Sequence, residues 1–284
     1  LPGEKLYSVA TLTWELRLLW VVISLYTLSF LLHLLHGFVP KRFGRVALGV
    51  LYITAFFHTG LIIFRTFEGA RLPFQTLYET LSWFSWTNLV TYLYVQRKFS
   101  NVYLPGLVIA GLSTFAMLLG VRSSSIEIAP VFPALQSYWY EPHVITAFAA
   151  YAVIVVSCSI ELSYLLMRRF NPYSMNEHSL RAFHGLSHKL VMVGFPLLTF
   201  GILSGAAWAN EAWGQYWQWD PKETASLLTW MIFAMYLHAM RIPGWREAPA
   251  SVLNLLGFLS MLVTFIGINY LVRLFNLYSL HAYG

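Results

Sequence analysis

The residues best suited to chemistry concentrate between Trp208 and Trp230, W-A-N-E-A-W-G-Q-Y-W-Q-W-D-P-K-E-T-A-S-L-L-T-W. This stretch holds Trp208, Trp213, Trp217, Trp219 and Trp230, five of the eleven tryptophans, together with Asn210, Glu211, Asp220, Lys222 and Glu223. Tryptophan combines a flat, electron-rich ring system with a single N–H donor, and it favours the membrane–water boundary. A cluster this dense can form a platform for a large planar ligand. An aromatic girdle beside a capped helix start accounts for it equally well. In that account Asp220 is the N-cap, Pro221 the first helical position and Glu223 an acid near the positive helix end. Residue types alone leave both readings open.

The second set of candidates is the histidines. Neutral imidazole binds metal through either ring nitrogen, so each position depends on the element that carries it. The chain is 58% hydrophobic and 11% charged over 284 residues, with a mean hydropathy of +0.60. Soluble domains carry roughly 25% charged residues, so this composition describes a polytopic helical membrane protein. Apolar runs of about twenty residues, enough to cross a bilayer, lie at 17–36, 46–64, 76–95, 103–121, 143–167, 189–207, 223–240 and 252–272. The expected fold is an all-α bundle of eight transmembrane helices, a single integral membrane domain over 1–284 with no soluble domain and no internal repeat. Leu1 is not an initiator methionine, which is compatible with a processed start or with one half of a longer fusion, and no cleavable signal is expected.

Eleven of the eighteen Lys and Arg fall on one set of connections, those holding Lys41, Arg42, Arg45, Arg97, Lys98, Arg168, Arg169, Arg181, Lys189, Arg241 and Arg246. The positive-inside rule places that set in the cytoplasm. Both termini and the tryptophan stretch then lie outside. The net charge of +6 is explained by these loops, and with no basic run interleaved with aromatics a nucleic-acid partner is not expected. The single cysteine, Cys158, sits within an apolar span. It excludes an internal disulfide, a zinc finger and a covalent C-x-x-C-H site, and reads as a small core residue.

On this layout His143, at the start of the fifth span, and His281, after the eighth, lie at the same depth and side as the tryptophans. His238 falls in the seventh span towards the cytoplasmic half, where a polar group faces the bundle interior, bonded to a neighbouring helix or ligating something. His178, His184 and His188 read as solvated loop residues. Glu161 is an intramembrane acid needing a partner that the sequence does not name.

The run W-G-x-x-W-x-W-D-x-K-E resembles the tryptophan-rich "WWD" signature of haem-handling proteins in cytochrome c maturation. The run from Gly194 to Gly214, G-F-P-L-L-T-F-G-I-L-S-G-A-A-W-A-N-E-A-W-G, is similar to the CcsA (ResC) family in particular, as are Arg71-Leu72-Pro73, Leu77-Tyr78-Glu79 and the terminal Leu280-His281-Ala282-Tyr283-Gly284. Ala225 departs from the pattern where another Trp is usual, and Gln75-Thr76 where Ser-Asn is common. The resemblance implies an external tryptophan-rich haem-binding loop at 208–223, with Trp208, Trp213, Trp217, Trp219, Asp220 and Trp230 contributing to haem binding. It also implies His143 and His281 as the two external axial ligands and His238 as an intramembrane ligand. Two imidazoles from opposite faces give a six-coordinate iron.

The same resemblance implies haem b as substrate and ligand. It implies holocytochrome c synthase (haem lyase) activity in complex with a CcsB/ResB-type membrane subunit, which supplies the opposite intramembrane ligand. The other implied partners are apocytochrome c carrying C-x-x-C-H, thiol-reducing thioredoxin-like proteins and membrane lipid. The expected location is a bacterial plasma membrane with the haem site facing the periplasm, or a thylakoid membrane in a plastid. His33, His36 and His58 are the candidates for a second inner ligand supplied within the chain. Arg71, Arg122 and Lys222 are candidates to pair with haem propionates. A HemX-like haem-binding protein without synthase activity shares these motifs. A plain solute transporter would share the spans but bind no haem.

Overall fold

The computed structural model describes residues 9–38, 43–99, 103–123, 126–128, 130–170, 177–275 and 279. All regular structure among them is helical, as expected. Lipid offers no partner to backbone N–H and C=O groups, so helices, which bond their backbones internally, are the elements that can cross it. Each of the eight apolar runs is occupied by helix. Six helical segments are long and apolar enough to span a membrane: 12–37, 43–69, 105–123, 140–166, 181–213 and 248–272.

The chain divides into two compact units, Leu1–Phe132 and Pro133–Gly284. The first contains α1 (Val9–Phe38), α2 (Phe43–Gly69), α3 (Leu77–Lys98) and α4 (Pro105–Ser123). The second begins with a 3-10 turn at Pro133–Leu135. It continues through α5 (Tyr140–Phe170), α6 (Glu177–Trp213), α7 (Pro221–Ala239), α8 (Ala248–Leu262), a π-helical turn (Val263–Gly267) and α9 (Ile268–Leu274).

Helix α3 is the least apolar of the first unit and lies largely inside it, with Glu79, Thr80, Ser82, Ser85, Asn88 and Gln96 all buried. Its start explains the Leu77-Tyr78-Glu79 motif. Thr76 and Glu79 form a capping box, and Glu79 Oε2 also accepts the Gln75 N–H at 2.7 Å. Glu79 then binds Arg65 Nε at 2.9 Å and both terminal nitrogens of Arg71 at 3.1 Å. Arg65 Nη1 donates to Glu15 Oε1 and to the Ile126 carbonyl, each at 2.7 Å. The Tyr78 hydroxyl donates to the same Glu15 oxygen at 3.2 Å. One buried cluster thereby ties α1, α2, α3 and residue 126 together. Arg71, a candidate for a propionate, is instead engaged by Glu79.

A buried charge left alone costs far more than the pair contributes. Arg65→Met leaves Glu15 and Glu79 without their shared cation. The expected loss is about 3–5 kcal/mol, read as a fall of the order of 10 °C in the thermal midpoint of the detergent-solubilised protein. An unchanged midpoint would show that the cluster carries no stability.

The three histidines of the first unit are consumed by its packing. His58 is fully buried, with Nδ1 on the Tyr26 hydroxyl at 3.0 Å and Nε2 on Ser82 Oγ at 2.9 Å. His33 bonds the Ser29 carbonyl through Nδ1 at 2.9 Å, and its Nε2 is pressed against Gly106, where an added Cβ would lie 2.2 Å away. His36 lies against Gly44 and, edge-on, against the Tyr103 ring at 5.5 Å.

In the second unit Glu161 finds its partners. Its Oε1 accepts from His184 Nδ1 at 2.8 Å and from Ser251 Oγ, while His184 Nε2 meets the Arg246 carbonyl at 2.6 Å. His184 is therefore not a solvated loop residue. Residues 177–188 are the first turns of α6.

Candidate functional site

The tryptophan stretch is two helix ends and a short connection. Helix α6 runs on through Trp213 and stops where Gly214, at φ +77°, takes up the left-handed conformation and returns its N–H to the Asn210 carbonyl at 2.9 Å. Helix α7 begins at Pro221. Asp220 and Glu223 form a capping box around it, as the sequence allowed. Irregular backbone is confined to 214–220, so the loop is shorter than the 208–223 expected.

Trp217 and Trp219 are carried on the connection, edge to face at 5.8 Å, with Trp219 68% exposed in a left-handed backbone conformation. Trp208 is buried in the last turns of α6. Its Nε1 donates to the Ala134 carbonyl at 2.7 Å, and its ring meets Tyr140 at 5.3 Å and Trp213 at 4.9 Å. Trp230 stands apart. It lies well inside α7, its Nε1 on Thr199 Oγ1 at 2.9 Å and its ring on Phe195 at 5.2 Å. At 1.5 Å per residue it is about 14 Å along the helix from Pro221.

His143 joins this cluster from the first turns of α5. Its imidazole lies nearly parallel to the Trp208 ring, 16° between planes and 5.8 Å between centroids. Its Nδ1 lies 2.7 Å from the Gly201 carbonyl. A carbonyl only accepts, so Nδ1 carries the proton and the ring's lone pair sits on Nε2, the tautomer a metal ligand needs.

The Gly201-x-x-x-Gly205 spacing, by itself a helix-packing pattern, has a further consequence. Gly201 supplies the carbonyl, and Gly205 faces the imidazole itself. The sequence held the motif but gave no sign of which side chain would lie on it.

His281 lies outside the described residues. Ser279, two positions earlier, donates from Oγ to Asp220 Oδ1 at 3.1 Å, so Ser279 itself lies at the start of α7. Asp220 also accepts the Lys222 N–H at 2.9 Å. Its carboxylate thus organises the connection from within.

His238 is at the other end of α7, in its last turn, about 26 Å from Pro221 along the axis. Thr229, Phe233, Tyr236 and Ala239 form the buried face of this helix. Thr229 Oγ1 is 2.8 Å from Ser260 Oγ, and the Phe233 ring fills the space over Gly257. Thr224, Leu228, Met231, Met235 and His238 recur every three or four residues on the exposed face. His238 thus points away from its own bundle, and its imidazole has no hydrogen-bond partner among the described residues. The expectation that His238 faces the bundle interior is therefore corrected, and of its two readings the bond to a neighbouring helix is absent among the described residues.

The profile of the family described as cytochrome C assembly protein matches residues 74–275. The cytochrome c biogenesis protein CcsA of Guillardia theta is 32% identical over 266 residues, covering 85% of each chain. That of Prochlorococcus marinus (strain MIT 9312) is 31% identical over 250 residues, covering 78% of this chain and 79% of its own. Among solved structures, the cytochrome c haem lyase CcmF superposes with a TM-score of 0.67 over 94% of this chain at 15% identity. The present chain spans about half, 53%, of that longer protein, and the likeness is one of fold.

Proposed function

The chain belongs to the CcsA family of cytochrome c assembly proteins, and on that premise we propose that it is the haem-handling membrane subunit of a System II cytochrome c synthase. In this reading haem b is taken up at an inner site that His238 ligates. It is then presented at the opposite end of the α5–α9 unit, between His143 and His281 and against the tryptophan cluster. Charge distribution supports an external position for that end, and α7 separates the two sites by about 26 Å along its axis.

The protein's contribution is orientation and iron ligation, while the vinyl chemistry belongs to the haem. Each cysteine of an apocytochrome C-x-x-C-H adds its S–H across one vinyl C=C, forming a C–S and a C–H bond. No electrons enter or leave, and the thiols must arrive reduced, which calls for a thioredoxin-like reductant upstream. The motif's own histidine then displaces one external ligand and helps release product.

The observation that carries the reading is the His143 site: an imidazole held as the Nδ1–H tautomer, laid on a tryptophan, at the helix end where Trp213, Trp217 and Trp219 gather. The inner site supports the further reading that the chain acts as a lyase together with a CcsB-type subunit. His33, His36 and His58 are all held within the first unit, and His238 faces outward, so a second inner ligand from a partner subunit is the arrangement these positions favour.

The test is the absorption spectrum of the purified protein, alone and with the partner, with pyridine extraction to identify the haem. A low-spin haem b spectrum is expected, and haem-free protein in both preparations would refute the reading. Orientation is tested by labelling Tyr138→Cys and Trp245→Cys in intact cells. Both positions are exposed, at 95% and 54%. Only the first should react with an impermeant maleimide, and the reverse pattern would invert the topology.

A further inference from the structure

We infer that Gly205 is a positioning residue for His143: the absence of its side chain makes the slot in which the imidazole lies. This rests on the reading of His143 as an iron ligand. Along α6 the residues facing α5 include Gly194, Gly201, Gly205 and Trp208. A Cβ added at Gly201 would meet the Ala147 backbone at 3.5 Å, ordinary van der Waals contact. A Cβ added at Gly205 would lie 2.8 Å from both Nδ1 and Cε1 of His143 and 3.5 Å from its Cγ, distances at which the ring must move.

The ring has little freedom to move within its site. Its Nδ1 is tied to the Gly201 carbonyl at 2.7 Å. It lies along the Trp208 indole, which is itself fixed by the Ala134 carbonyl and by Tyr140 and Trp213. A methyl group at 205 therefore has two consequences. It turns the imidazole out of the plane it shares with Trp208, and it breaks the bond that keeps the lone pair on Nε2. Both misdirect the ligating nitrogen without touching its chemistry.

A plain packing role for Gly205 predicts a different signature. Displacing the ring would then lower the thermal midpoint and leave the spectrum of loaded protein as in wild type, since no iron ligand would be disturbed. The slot makes Gly205→Ala change the spectrum itself. Gly194, which also faces α5, is the control: an added Cβ there meets Ile154 and Val153 at 3.4 Å, ordinary van der Waals contact, so Gly194→Ala should stay near wild type.

The experiment uses the full chain co-expressed with its partner subunit and compares wild type, Gly194→Ala, Gly205→Ala, His143→Ala and the Gly205→Ala/His143→Ala double variant by absorption spectrum and thermal midpoint. Gly205→Ala is expected to lose the low-spin bands of the external haem as His143→Ala does, and to regain them with added imidazole. Gly194→Ala is expected to keep them. A wild-type spectrum for Gly205→Ala overturns the inference, as does equal loss in the two glycine variants.

If Gly205→Ala is itself unstable, the double variant decides. Removing the ring should make the methyl tolerable and bring the midpoint back to that of His143→Ala. A double variant as unstable as Gly205→Ala would place the clash elsewhere and overturn the slot. If instead His143→Ala leaves the haem spectrum unchanged, it is the ligand reading that fails, and the midpoints still report on the slot.

Discussion

His143→Ala is expected to convert the haem proposed at the external site from six- to five-coordinate, shifting its spectrum from low to high spin and lowering cytochrome c formation, with added imidazole restoring part of both. The expectation follows from the way the ring is held. Its Nδ1 bond to the Gly201 carbonyl and its stacking on Trp208 fix one nitrogen and put the lone pair on the other, the nitrogen proposed to ligate iron. A free imidazole molecule can occupy the space the side chain vacates.

Trp217→Ala is the contrasting change. Trp217 is half-buried on the connection between α6 and α7 and touches Trp219, so its loss removes ring area and no ligand. A ring of that size contributes about 3 kcal/mol at most when fully buried, up to roughly a hundredfold in affinity. Loaded Trp217→Ala protein should nevertheless keep the bis-histidine spectrum. The two substitutions must differ in kind, one in spin state and the other in occupancy. Identical spectra for loaded His143→Ala and wild type would remove His143 from the iron.

The bundle was legible in the sequence because hydrophobic run length sets a helical span whatever its neighbours do. The cap of α7 was legible because Asp220, Pro221 and Glu223 act within one turn. What escaped depended on partners distant in the chain. Glu161 was visible as an acid needing company, but nothing in sequence separates His184, 23 positions on, from the solvated histidine it was taken to be. Trp230 looked like one more ring of the cluster because it is close in sequence. Helical rise carries it away from the loop, onto Thr199 and Phe195. The Gly205 slot was hidden for the same reason, since a glycine pattern shows that something approaches closely and not what does.

His238→Ala is expected to separate haem content from stability more cleanly than any other change in the chain. The side chain is exposed on the Leu228–Met231–Met235 face and bonds to nothing among the described residues. Surface substitutions of that kind usually lie within about 0.5 kcal/mol of neutral, so insertion, expression and thermal midpoint should match wild type. Haem at the inner site, measured by pyridine extraction of the complex with its partner, should fall and return in part with added imidazole.

Tyr236, two positions earlier in the same turn, supplies the control. It is fully buried among α5–α8, with its ring 5.8 Å from that of His188. Tyr236→Ala should lower stability by about 3–5 kcal/mol through the cavity it leaves. Any haem loss in it should scale with unfolding and should not respond to imidazole. If His238→Ala retains its haem, the exposed imidazole is a lipid-facing residue at the end of a helix. If it loses haem only as it unfolds, it belongs with Tyr236 as a packing residue. Haem loss at an unchanged midpoint, reversed by a free imidazole ring, is the outcome that an iron ligand on the outward face of α7 requires.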